Sequence, residues 1–160
     1  MTTFLFLSFF AGVLLVKHLF FWHPMDVSHL YENGPLLMGH RGSPKEAPEN
    51  TLLSFRKALE DGLKAIEVDV LCSTDGKVIC SHNHDLERET DGFGYIHETA
   101  YADLQAINAG ARFKESGHCP IPPLDELISL LPSDCIMNIE IKSHSAFDLG
   151  SVPKVMHLVK

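Results

Sequence analysis

The chain has 160 residues, a formal net charge of -8 and 45% hydrophobic residues, enough for one domain plus an appendage. The acidic balance argues against a nucleic-acid partner, because phosphate backbones are held by an excess of Lys and Arg. Cys72, Cys80, Cys119 and Cys135 form no C-x-x-C pair, so they read as reduced core or loop residues, not as zinc ligands or a disulfide framework.

The N-terminus reads as a separate object. From Thr2 to Trp22 nearly everything is apolar, interrupted only by Lys17 and His18. At about 1.5 Å per residue it approaches the ~30 Å thickness of a bilayer's hydrocarbon core. Lys17 can snorkel, and Phe20, Phe21 and Trp22 suit an interface. The expectation is an N-terminal transmembrane helix over residues 1–22, a single-pass anchor giving membrane localisation. A cleaved signal peptide competes, but it lacks a basic stretch before Phe4 and a small-x-small cleavage site. Residues 23–35 form a polar linker punctuated by Pro and Gly, and the folded domain runs over 36–160.

Within that domain, Leu36 to Val70 reads as strand, loop, helix and strand. The first strand ends at His40-Arg41-Gly42. Asn50 or Thr51 caps a helix whose stripe is Leu52, Phe55, Leu59 and Leu63, broadened by Leu53 and Ala58 and closed by Gly62. On the next strand Glu67 and Asp69 share one face, while Ile66, Val68 and Val70 take the other. Such a pair is the wet face of an ordinary strand or, if covered, a repulsive couple that a bound cation would relieve. A βα unit joins parallel strands and places its site at their carboxyl ends, where His40, Arg41, Glu67 and Asp69 fall.

Asp75-Gly76 is a hairpin-like turn before the extended run Lys77 to Ser81, and that connection is too short for a helical crossover. A loop-rich stretch follows from Leu86 to Pro123, with a short helix near Tyr101 to Ile107. Leu124, Leu127, Ile128 and Leu131 mark an amphipathic helix that stops at Pro132. Ile136 to Ile141 is the last clear strand, with Asn138, Glu140 and Lys142 on one face. Val152 to Lys160 opens a further helix.

His40-Arg41-Gly42, Glu49-Asn50-Thr51, Glu67-x-Asp69, His82 after its strand, Ile121-Pro122-Pro123-Leu124-Asp125-Glu126 and Glu140-x-Lys142 occur in one order. In that order the chain from Leu36 to Lys142 resembles the glycerophosphodiester phosphodiesterases. The resemblance implies an α/β fold, a (β/α)8 TIM barrel of which the first half is present. It also implies hydrolysis of glycerophosphodiesters to an alcohol and glycerol phosphate with one divalent cation, Ca²⁺ or Mg²⁺. By position, Glu67, Asp69 and Glu140 correspond to the metal ligands and His40 and His82 to the acid/base pair. Arg41 and Lys142 correspond to the phosphate-contacting cations, and Glu49 to a support held one step back.

That chemistry suits these residue types. Hard carboxylate oxygens hold Ca²⁺ or Mg²⁺, a guanidinium grips two phosphate oxygens, and imidazoles serve as base and acid near neutral pH. Which of His40 and His82 is the base stays open, and His84 rivals His82. His97, His118, His144 and His157 carry no pattern. The family has Asp after its second histidine, where this chain has Asn83, which brings no charge to His82.

A full barrel takes about 250 residues. The expectation is therefore a fragment of a longer enzyme, or a chain that self-associates. An anchored domain would meet lysophospholipids as well as soluble diesters. The alternatives are an inactive relic or metal- and phosphate-binding module, and a related phospholipase that forms a cyclic phosphate.

Overall fold

A computed structural model describes residues 2–21, 23–31, 34–113, 117–145, 148 and 150–160, with the side chains of residues 2, 3 and 5 excepted. The chain divides into two compact units, Met1–Pro35 and Leu36–Lys160.

The first unit holds helix α1, Thr2–Phe21, and a 3-10 turn at Ser28–Tyr31. Among the described residues no helix is long and apolar enough to cross a membrane. The expected single-pass anchor and the membrane localisation drawn from it are thereby overturned. Thr2 and Thr3 open the helix, and Ser8, Gly12, Lys17 and His18 interrupt it. Lys17 and His18 set a charged and a polar group inside its 20 residues, where a hydrocarbon core would have to accept them. Trp22, expected at an interface, lies outside the described residues.

In the second unit four strands form one sheet: β1 (Met38–His40), β2 (Ala65–Cys72), β3 (Val78–Cys80) and β4 (Ile136–Ile141). β2 is its spine. β4 runs parallel along Ala65 to Val70 of β2, and β1 runs parallel against Ala65 to Glu67. β3 turns back antiparallel from Cys72 to Val70, as the short Asp75-Gly76 connection requires. The architecture is thus α/β with a mainly parallel sheet.

Helix α2 (Leu52–Glu60) forms where the stripe predicts it. Thr51 is the cap, accepting a hydrogen bond from Ser54 N at 3.2 Å, and Gly62 follows the helix at φ +85°. Ser54, not Leu53, joins Phe55 and Ala58 on the buried side. Helices α3 (Tyr101–Leu104), α4 (Leu124–Leu130) and α5 (Ser151–Leu158) complete the set.

The two sheet faces carry separate cores. On one, Ile66, Val68 and Val70 pack with Phe55, Leu124, Leu127 and Val155. On the other, beyond Glu67 and Asp69, Leu71 and Ile79 are covered by Leu86, Ile96, Leu104 and Ile121 from the loop-rich stretch. The loop side is pinned by Cys80 N donating to Pro122 O at 2.8 Å and by Lys77 Nζ on Asp125 Oδ2 at 2.8 Å. The four cysteines are free thiols, as their spacing implies.

Candidate active site

The parallel register sets the site. His40 lies abreast of Glu67, and Asp69 abreast of Glu140, so four polar side chains from three strands share one face. β2 is buried on both faces, which excludes the wet-strand reading of Glu67 and Asp69. Ligand oxygens of Glu67, Asp69 and Glu140 all lie within 4.8 Å of one another.

Asp69 is the hub, at 0% exposure. Asn50 Nδ2 donates to its Oδ2 at 3.1 Å, and its own amide N–H donates back to Asn50 Oδ1 at 3.2 Å. Arg41 Nε lies 3.0 Å from Oδ2 and Lys142 Nζ 3.0 Å from Oδ1. Each carboxylate oxygen thus has a cation against it. Burial by itself would raise Asp69; the Asn50 hydrogen bond, with Lys142 and Arg41, overcomes it and holds the carboxyl below the usual range. Glu67 goes the other way. Burial pushes it up, and the Asp69 charge beside it adds to the rise.

Arg41 is placed by strain and hydrogen bonds together. It takes a left-handed φ of +59°, and Asn50 one of +55°. Arg41 N donates to both Glu67 O and Glu67 Oε2 at 3.1 Å, and Asn50 N donates to Arg41 O at 3.1 Å. Arg41 Nη1 is held by Glu49 at 2.9 Å. Ser54 of α2 clamps the same loop, its Oγ donating to Arg41 O at 3.0 Å and accepting from Ser43 N at 2.8 Å.

Lys142 follows β4 and bridges Asp69 to Glu140, to which its Nζ donates. Burial would lower Lys142; the Glu140 and Asp69 carboxylates outweigh it and keep the ammonium charged. His40 is open to solvent, its Nε2 3.8 Å from Glu67 Oε2. His82 lies just beyond β3, beside a small cavity that Glu49, Asn50, Ser81 and Glu89 also line. Its Nδ1 is 3.1 Å from Asn83 Oδ1. His84 is not among the residues lining that cavity; it feels the charges of His97, His144, Lys142 and Asp85, and the His97 and His144 rings stack at 4.7 Å. Two contributors escaped the sequence reading. Asn50 looked like a helix cap, and Glu89 carried no signal beyond its charge.

The donor set fits a hard divalent cation. Glu49, Glu67, Asp69 and Glu140 are four carboxylates facing two fixed cations, Arg41 and Lys142, a deficit of two positive charges. Three carboxylates whose oxygens lie within 4.8 Å of one another are close enough to share one such ion.

Comparison with known proteins is consistent with this geometry. The chain is 34% identical to a glycerophosphodiester phosphodiesterase of Caldanaerobacter subterraneus over 128 residues, 78% of this chain and 52% of that protein. Among solved structures it superposes on a phosphodiesterase of Oleispira antarctica bound to the product sn-glycerol-3-phosphate. That match has a TM-score of 0.73 at 33% identity, covering 78% of this chain and 51% of that one. The glycerophosphodiester phosphodiesterase of Thermotoga maritima gives a TM-score of 0.67 at 31% identity, over 81% and 51%. The chain thus spans about half the length of the curated relatives it matches, in keeping with a partial barrel. Residues 40–156 match the model of the glycerophosphoryl diester phosphodiesterase family, and the chain belongs to that family.

Proposed function

We propose that this domain hydrolyses glycerophosphodiesters to an alcohol and glycerol phosphate, with one Ca²⁺ or Mg²⁺ held by Glu67, Asp69 and Glu140. The observation that carries the reading is the two-charge deficit among clustered carboxylates at the carboxyl ends of parallel strands. The names of its relatives, and the product bound to the Oleispira protein, support the substrate class.

When bound, the cation polarises the phosphoryl oxygens. Arg41 and Lys142 receive the phosphate, the guanidinium through its fork and the ammonium as a point charge. Because both rest on Asp69, they are positioned before substrate arrives and need little reorganisation. One of His40 and His82 takes a proton from the attacking water, and the other gives one to the leaving alcohol oxygen.

The test is release of the alcohol from glycerophosphocholine and from a lysophospholipid, in Ca²⁺, Mg²⁺ or EDTA, with His40→Ala and His84→Ala beside the parent. Metal-dependent turnover that is lost in His40→Ala and kept in His84→Ala is expected. A folded, cation-binding parent that does not turn over would sink the reading. A cyclic phosphate product would move the reaction to the phospholipase class.

A further inference from the structure

Asn83 stands where the family pattern has a carboxylate, and the structure supplies a carboxylate one residue further out. Asn83 is buried, and both ends of its amide are engaged. Its Oδ1 lies 3.1 Å from His82 Nδ1, and its Nδ2 donates to Glu89 Oε1 at 3.3 Å. Ser81 Oγ donates to the Asn83 carbonyl at 3.3 Å and steadies the turn.

The direction of the amide follows from Glu89. A carboxylate only accepts hydrogen bonds, so it must face the NH₂ end of Asn83. Turned over, the amide oxygen would confront Glu89 Oε1 with no proton between them. With the NH₂ end fixed on Glu89, the amide oxygen must face His82. A carbonyl oxygen can only accept, so the proton must sit on His82 Nδ1. The lone pair of the neutral ring is then on Nε2. Arg88 Nε lies 3.7 Å from the same Glu89 oxygen, but the Arg88 side chain is largely exposed and the pair is weak.

We propose that Glu89 and Asn83 are positioning residues that lock His82 in its Nδ1–H tautomer and so assign proton transfer to Nε2. The kinetic consequence rests on the phosphodiesterase reading; the tautomer does not. Asn83 is thus no defect in the motif. The polar partner of His82 is built from two side chains instead of one.

Two-bond proton–nitrogen correlation spectra of the full chain, nitrogen-labelled at histidine, read the tautomer directly. The His82 signals are those lost in His82→Gln. The parent is expected to show Nδ1–H with an unprotonated Nε2. Glu89→Ala should give a mixture of tautomers, because the amide is free to turn. Glu89→Gln, which still offers an oxygen to Asn83 Nδ2, should restore the parent pattern. Glu89 is partly exposed, so its truncation should leave the fold intact. Asn83→Leu serves as a second variant and should also lose the preference. In the hydrolysis assay Glu89→Ala should lower kcat about tenfold or more with KM unchanged, a part of the usual general acid–base contribution. An Nε2–H parent, or a tautomer unmoved by Glu89→Ala, would overturn the proposal. A parent that does not turn over would count against the phosphodiesterase reading, and the spectra would still decide the tautomer.

Discussion

β2 and β4 lie side by side and share an alternation of acidic and aliphatic residues, yet they bury them differently. On β2, Asp69 is wholly enclosed and held by an amide and two cations. On β4, the Glu140 side chain is 58% exposed and its partner is Lys142. The difference follows from neighbours. β2 is flanked on both edges and packed on both faces, whereas among the described residues no strand pairs with the far edge of β4. The carboxylate on the central strand is enclosed by the fold, and the one on the outer strand lies open to solvent beside Lys142.

Substitution at the two positions should separate those roles. Asp69→Ala strands Arg41 and Lys142 without their shared anion, and breaking a buried pair of this kind costs about 3–5 kcal/mol. Urea unfolding at neutral pH would measure it. Glu140→Gln should cost less than ~1 kcal/mol, since exposed ion pairs contribute little. Both variants should lose Ca²⁺ and Mg²⁺ binding by titration calorimetry. Equal destabilisation by the two would break the contrast between the strands.

The turn after β1 belongs to the rigid half. Gly42 has φ +89°, and a Cβ there would collide with Ser54 Oγ and come within 2.6 Å of the Ser54 carbonyl carbon. Gly42→Ala combines strain with a backbone clash in the loop that presents Arg41, and should cost on the order of 2–3 kcal/mol in the same unfolding assay. A neutral result would mean that the loop yields, and that Arg41 is not held as tightly as Asp69.

Much of the rigid half was legible because its residues obey local rules. The α2 stripe, the Thr51 cap, Gly62 and the bounds of β4 follow from periodicity and capping, and Glu67-x-Asp69 from strand alternation. What the sequence hid was contact across long separations. That β3 pairs antiparallel, that Asn50 bonds Asp69 across 19 residues and that Asn83 reaches Glu89 depend on how loops return to the sheet. The N-terminal helix misled for the opposite reason: composition suggested a span, while no helix among the described residues is long and apolar enough for one.

On the open side, Lys142→Gln should weaken glycerol phosphate binding about tenfold, the loss of one charge-assisted contact, and leave divalent-ion binding in place. Parallel titrations with the ion and with glycerol phosphate would read both. Loss of ion binding would show instead that Lys142 is needed to hold Asp69 and Glu140 together.

The smallest effect concerns His84, which feels the charges of His97 and His144, whose rings stack on each other. Burial pushes His84 below its usual value, and His97, His144 and Lys142 push the same way against Asp85. Folded His84 therefore stays neutral at pH values where the unfolded chain has already taken up a proton. More protons on the unfolded state means that stability falls as pH drops below about 6.5, the unfolded value, until the folded pKa is also passed. Unfolding midpoints of the parent should decline between about pH 7.5 and pH 5.5, and His84→Gln should flatten part of that decline. If parent and variant fall in parallel, His84 is solvated in solution and the residues after β4 do not close over it, which would extend the openness of β4 to the loop that follows.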